Sequence, residues 1–599
     1  MGNPAKKGNG IMFKNVMVIL LIVCIIPPLS ALAADNVWVV TSGNNPYWST
    51  ADNWSLGHEP VTGDNVELRS QGANATAIYD TLNNPGLEMV KIDGAGGSTL
   101  ELQQSSGAFN AGNLYLGSST DTSGTYNQSG GSNVLFNNLY VSYAAGSSGT
   151  YCLSGGSLTS LGGTEYIGYN GTGTFNHTGG SNSAGFGNLR IGSAGGNGTY
   201  NLSSGTGASD SVVSVGSEYI GDSGSGTFNQ TGGANSVETT LHLGYAAGSH
   251  GTYNLSGGTV RGGMSGEIVG VSGSGTFNQT GGSNNSFMEL IIGSQAGSNG
   301  IYNLNDGILE TGSLSSEYIG VSGTGIFNQS GGTHTVSGAL IIKQNDTATG
   351  VYNLSGGTLT VNGGITVNDL LNYSGGTLNA DIINNGTTNL SGIGTRTVNG
   401  DLTNNGTVKV TNTTVQYTGT FTNNGAYISD PSVNKFIDLV IGAYGYLQGG
   451  SSDQFLLSGS LVNDSTSPLW DTSEALLGFT GTGSHNIDQI NDFRWGTLAI
   501  YDGGSLYLSG SGDLYVENLL GLTFDGTDTI SNIFGNGLNI YYDSIYNPWL
   551  EGRTYSLADG GSLLAYNTPD PVPEPATMLL LGAGLIGLAG LRKKRKKQR

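Results

Sequence analysis

Leu241-His242-Leu243-Gly244, then Tyr253-Asn254-Leu255-Ser256-Gly257-Gly258: this pair of short stretches, each closed by glycine, recurs through the middle of the chain. The aromatic that opens the second stretch returns as Tyr126, Tyr151, Phe175, Tyr200, Phe228, Tyr253, Phe277, Tyr302, Phe327 and Tyr352, at steps of 24 to 28 residues. A fixed period in that range means a solenoid, a propeller or an array. Each unit has room for two or three strands of three to five residues between Gly and Ser turns, with no helical periodicity. A propeller blade needs about 40 residues or more, and the one Trp-Asp pair, Trp470-Asp471, lies outside the repeats. The pattern therefore predicts an all-β chain, a parallel β-helix with one turn per unit, rising ~4.8 Å per turn.

A slower rhythm runs through the first. Two residues after each aromatic the chain reads Gln128, Leu153, His177, Leu202, Gln230, Leu255, Gln279, Leu304, Gln329 and Leu354. The position opening the upstream strand alternates in step, as Leu189, Glu218, Leu241, Glu267, Leu290, Glu317 and Leu340. The true repeat is thus two turns. Residues two apart share a strand face, so a core-facing aromatic carries Gln or His inside every second turn, where it needs partners. One expectation is a direct hydrogen bond from each Glu to the Gln or His of its own double turn, as in Glu218 with Gln230. The alternative leaves Glu in water and bonds Gln to a backbone turn. The Asn following each aromatic (Asn229, Asn254, Asn278, Asn303 and Asn328) predicts an outward or turn ladder of stacked amides. Asn229-Gln230-Thr231 also reads as a glycosylation sequon.

After Leu354 the period falls to about twenty, marked by Asn384-Asn385-Gly386, Asn404-Asn405-Gly406 and Asn423-Asn424-Gly425. This divides the chain into a leader (1–33), a cap with the first turns (34–110), 25-residue turns (111–362), 20-residue turns (363–429), a less regular region with its own cap (430–568) and a tail (569–599). Trp48 and Trp54 suit a cluster that closes the first open turn; a sugar-stacking platform is the sharper alternative. The turns broadly resemble those of autotransporter passenger domains and related adhesin β-helices. The departure is at the end of the chain, where a short anchor stands in place of a β-barrel translocator.

Composition narrows the function. The 29 Tyr and 36% hydrophobic content argue against disorder in a chain with 104 Gly. Lys6, Lys7 and Lys14 precede the apolar run Val16 to Ile26, and Ala31 and Ala33 offer a small-residue cleavage site. These are the three parts of a secretory signal peptide. Its removal leaves Cys152 as the sole cysteine, so no internal disulfide is expected. Without the basic residues of leader and tail, the exported part carries a charge of about −32, which repels phosphate backbones and argues against nucleic acid. No zinc spacing, P-loop, dinucleotide fingerprint or nucleophile elbow stands out. The reading is of no catalytic residue, metal or cofactor. The runner-up is a polysaccharide lyase or hydrolase, which needs paired carboxylates or an Arg-based acid–base group in a groove; Glu218, Asp210, Asp222, Arg190 and Arg261 are the nearest candidates.

The tail is the most specific signal. Val572-Pro573-Glu574-Pro575 leads into the apolar stretch Ala576 to Leu591, followed by Arg592, Lys593, Lys594, Arg595, Lys596, Lys597 and Arg599. Sixteen residues make a helix of ~24 Å, short against a ~30 Å hydrocarbon core, with snorkelling basic residues to make up the difference. The basic stop stays cytoplasmic, so the long domain faces outward. Motif, span and basic stop together resemble the PEP-CTERM sorting signal of Gram-negative bacteria. The resemblance implies an exosortase-type processing protease as partner, an inner-membrane intermediate held by the C-terminal transmembrane helix, and a cell-surface or extracellular-matrix destination linked to exopolysaccharide and biofilm. The expected role is structural or adhesive.

Overall fold

The computed structural model describes residues 34–566, apart from 41–44, 82–84, 204–210 and 313–314. The leader, with Ala31 and Ala33, lies outside the described residues. So does the tail, with Val572 to Pro575 and the basic stop Arg592 to Arg599. Among the described residues the helical content is two three-residue 3-10 turns, Ala51–Asn53 and Pro548–Leu550, and no helix is long and apolar enough to cross a membrane.

The chain winds as a parallel β-solenoid of about 20 turns. In the repeat region each turn contributes three strands, and each strand pairs in parallel with its counterparts one turn below and above. The first lane stacks Ser123–Gln128, Ser148–Leu153 and Thr172–His177 with Tyr126, Tyr151 and Phe175 in register. The second stacks Ser132–Leu135 under Ser157–Ser160. The third stacks Leu139–Val141 under Thr164–Ile167. Strands alternate buried and half-exposed residues, as a half-buried sheet must.

Two glycines show why the period is so rigid. A Cβ on Gly251 would lie 2.0 Å from the Ile220 carbonyl oxygen, because this position packs against the corner of the turn below. Gly258 turns the chain into the second lane with φ +82°, and its Cβ would meet the Gly233 carbonyl at 2.4 Å. The repeated glycines therefore hold backbone in contact between turns.

The repeating aromatics form one continuous interior stack from Tyr126 to Tyr352, every ring fully buried. Successive centroids lie 4.6 to 5.0 Å apart with planes within 11°. Each such pair adds about 0.5–1.5 kcal/mol beyond the area it buries. After Tyr352 the turn shortens: Asn353 pairs with Asn372, which pairs with Asn389, steps of 19 and 17 residues. Strict repetition then ends, yet parallel stacking continues through Leu439–Ile441 on Leu461–Asn463 to Ile540–Asp543 on Ser562–Tyr566. The last turn closes by antiparallel pairing of Tyr555–Ala558 with Ser562–Tyr566.

The opposite end closes with aromatics. Trp54 packs edge-on against Trp38 and Trp48 at 5.3 and 4.7 Å, and Trp48 against Tyr79 at 5.2 Å. The Trp54 indole N–H donates to the Trp48 carbonyl at 2.7 Å. Trp48 and Trp54 are 0% and 3% exposed. The sugar-stacking alternative is therefore corrected: with both ring faces inside the first turns, neither indole offers a surface to a glycan.

Candidate functional site

The interior carries an unusual polar array beside the ring stack. Glu165, Glu218, Glu267 and Glu317 all point inward and are at most 1% exposed, as are Gln128, Gln230, Gln279 and Gln329. The expected direct Glu–Gln bond does not form. An Asn from the second lane stands between them and a Tyr from the next turn completes the link. Asn235 donates to Glu218 Oε2 at 2.8 Å and to the Tyr253 hydroxyl at 3.1 Å, and that hydroxyl donates to Gln230 Oε1 at 2.5 Å. The Gln230 amide then donates to the carbonyls of Gly233 and Thr259. Two turns on, Asn284, Glu267, Tyr302 and Gln279 repeat the arrangement. Histidine takes one place in two of the clusters: His177 lies 3.0 Å from the Tyr200 hydroxyl, and His334 lies 2.9 Å from the Tyr352 hydroxyl and 3.0 Å from Glu317 Oε1.

This explains the alternation of ring types. Tyr sits in the turn above each Gln or His, where its hydroxyl has a partner; Phe fills the turns between from Phe175 to Phe327. Burial raises the Glu218 carboxyl to about 8, with the Asn235 bond opposing and Glu267 reinforcing the shift. Burial likewise raises Glu267 to about 7. Both carboxyls are thereby held protonated in mild acid. Glu218 Oε1 and Asn235 Oδ1 each lack a partner among the described residues, as do Glu267 Oε1 and Asn284 Oδ1. A proton on the carboxyl supplies a donor where both oxygens otherwise only accept. Burial also lowers His177 to about 4, against a bond to Gly180.

The outer surface presents two further arrays. Asn201, Asn229, Asn254, Asn278, Asn303, Asn328 and Asn353 form a half-buried amide ladder, each donating to the Asn one turn below at 2.8 to 2.9 Å. Asn229 thus has its amide bonded on both sides. Cys152 interrupts the series below Asn176, whose amide donates to its sulfur at 3.7 Å, and it is a free thiol. On the third lane, Tyr115, Tyr140 and Tyr166 stack at 4.7 and 5.0 Å. Tyr143 and Tyr169 form a parallel row that meets them edge-on. Burial, then the neighbouring phenols, pushes Tyr140 up to about 12. Arg190 continues this face over the Tyr219 ring at 4.1 Å, and Tyr219 stacks on His242. Tyr143 and Tyr245 are both 40% exposed.

The residues weighed for acid–base chemistry are not brought together. Arg190 pairs outward with Asp222 at 2.6 Å, while Glu218 faces the core. Arg261 stands over Phe287, its guanidinium 5.6 Å from the ring centre, and Asp210 lies outside the described residues. Among the described residues no three His, Cys, Asp or Glu converge as a metal site would require. The inward Asn at Asn133, Asn182, Asn235 and Asn284, and His334 in the same place, were not anticipated from the sequence. Their signal was there, since each follows its Gln or His by five residues.

No curated protein and no solved structure matches the chain. The family model for the PEP-CTERM protein-sorting motif matches residues 571–596, which takes in the proline-glutamate motif, the apolar stretch and most of the basic stop. That motif marks an exported protein processed by an exosortase. The chain is a β-solenoid that carries a PEP-CTERM sorting signal at its C-terminus.

Proposed function

We propose that this protein is a structural or adhesive rod, delivered by its sorting signal to the cell surface or extracellular matrix of a Gram-negative bacterium and associated there with exopolysaccharide. Ala576 to Leu591 hold it in the inner membrane as an intermediate, with the basic stop in the cytoplasm, until the exosortase acts. The observation that carries the reading is the pairing of this signal with a cargo of stacked, disulfide-free turns. Such a cargo suits display, because neighbouring turns stabilise one another along its length. The half-exposed tyrosine rows from Tyr115 to Tyr169 and the outer amide ladder give long arrays for glycan contact, and the exported chain is acidic enough to stay dispersed in a charged matrix. Catalysis is not part of the proposed role.

Mass spectrometry of the surface-exposed form tests the sorting step. The expected mature protein lacks Arg592 to Arg599; finding those residues on the surface form indicates a permanent anchor instead. A glycan array tests the adhesive step. Binding competed by free sugar supports it, and a blank array leaves a passive matrix component.

A further inference from the structure

The two ends of the rod treat tryptophan in opposite ways. At the first turns Trp38, Trp48 and Trp54 are at most 3% exposed. In the last turns Leu520, Phe524, Ile545, Tyr546 and Trp549 are 44%, 39%, 74%, 60% and 51% exposed. Exposed apolar residues scattered singly need no explanation, but these are gathered. The Phe524 and Trp549 rings lie 6.2 Å apart, edge to face. The segment that carries three of them is also firmly held from beneath. Asn547 is fully buried, donates to the carbonyls of Glu517 and Asp543 at 2.6 and 2.8 Å, and accepts from the Leu519 N–H at 3.0 Å. Leu550 is fully buried, and its carbonyl accepts from the Tyr555 hydroxyl. The backbone is pinned inward while Ile545, Tyr546 and Trp549 are turned out.

The position of this patch matters as much as its composition. Tyr566, the last described residue, pairs with Asp543, two residues before Ile545. The chain therefore leaves the rod for its sorting signal beside the exposed segment. Nine residues, Asn567 to Pro575, separate that exit from Ala576, where the apolar stretch begins. Fully extended, they span at most about 30 Å, and four of the nine are proline, which stiffens the connection. A rod tethered this closely keeps its last turns near the bilayer. Trp and Tyr favour the membrane–water boundary, where an apolar ring and a polar edge are both satisfied.

We propose that Phe524, Ile545, Tyr546 and Trp549 form a lipid-contacting seat that rests the C-terminal end of the rod on the membrane surface while the tail is inserted. The proposal rests on the reading of Ala576 to Leu591 as a membrane span. The partner is the headgroup boundary of a neutral lipid surface, because Asp525, Asp543 and Glu551 lie in the same turns and Arg553 is paired with Asp528. The seat orients the sorting motif relative to the bilayer, where a membrane protease meets it.

The test uses the full chain reconstituted in phosphatidylcholine vesicles with and without brominated acyl chains. Six tryptophans are present and none lies in the tail. Trp38, Trp48, Trp54 and Trp495 are buried and Trp470 is half-buried, so Trp549 is the reporter best placed for lipid. Brominated lipid is expected to quench part of the emission, and Trp549→Phe to abolish that part. Ile545→Ser with Tyr546→Ser, both at exposed positions, is expected to reduce the quenching of Trp549 about twofold. Flotation with the vesicles is measured separately. A chain that floats with its emission unchanged by bromine overturns the seat but leaves the span intact. A chain that does not float overturns the span, and the seat with it. Concentration-dependent burial of Trp549 in the absence of lipid assigns the patch to a second copy and also overturns the proposal.

Discussion

The wide turns between Ser123 and Val361 and the narrow turns between Ile365 and Asp430 solve the same packing problem differently. A pair of 25-residue turns encloses two aromatic rings, strands of aliphatic residues and one polar cluster containing a carboxyl. The turns of about 19 residues still bury rings at Tyr373, Tyr417, Phe421 and Tyr427, but no carboxyl is buried among them. There Asn384 donates directly to Asn404, and Asn404 to Asn423, each at 2.7 Å and each fully buried. Spare amide hydrogens go to the carbonyls of Thr407 and Ala426. Where identical residues stack one turn apart, an amide is its own best partner, being donor and acceptor at once. Where the unit is two turns, unlike residues meet, and a carboxyl, an amide and a phenol share the work. The buried basic group of the narrow segment is Arg396, which donates to the carbonyls of Ser374 and Ile393. The wide segment therefore has an interior that titrates, and the narrow amide ladder does not.

The largest expected effect is in the narrow ladder. Asn404→Leu strips Asn423 and Ala426 of a donor and Asn384 of an acceptor, at a cost of about 3 kcal/mol since each orphaned buried group costs roughly 1–3. Denaturant unfolding followed by hydrogen exchange locates the loss; unchanged protection of Thr407–Thr411 breaks the comparison. Next comes pH. The folded values of Glu218 and Glu267 lie above the ordinary 4.5, so the folded chain keeps protons that the unfolded chain has released. Their contribution is full below about pH 4.5 and is lost as the pH rises through 7 and 8. Exchange protection of Ser225–Gln230, corrected for intrinsic rates, is expected to fall across that window while Thr407–Thr411 holds. Glu218→Gln with Glu267→Gln removes the slope. Tyr253→Phe follows, leaving Gln230 Oε1 without its donor at a cost of about 1–2 kcal/mol; Phe277→Tyr, in the intervening turn, tests the alternation from the other side by adding a hydroxyl with no matching Gln below. The smallest effect is expected from Asn303→Ala on the half-exposed outer ladder, about 0.5–1 kcal/mol.

Much of this was legible because stacking forces like residues into like positions. The period gave the lane, and the alternating Leu and Gln two residues after the rings marked the face that the rings share. The outer Asn series gave the ladder, and the paired Trp48 and Trp54 gave a closing cluster. What could not be read was the partner across a corner. Gln230 and Asn235 lie on different strands of one turn, and their repeated five-residue spacing marks a shared position without showing that the second strand turns Asn inward. Without Asn235, Glu218 and Gln230 look like natural partners, although they need a bridge to meet. The last turns were partly legible for a different reason. Strands such as Leu461–Asn463 and Ser484–Gln489 stack as regularly as any, but varied corners hide their period. The seat at Trp549 could be recognised only once burial separated it from the tryptophans of the first cap.

The central claim is that the wide turns enclose neutral carboxyls. Infrared spectroscopy at pH 6, where ordinary Glu side chains are ionised, tests it most directly. The account predicts a protonated-carboxyl band that loses intensity in the Glu218→Gln, Glu267→Gln variant; a spectrum at that pH with only ionised carboxylate would contradict it.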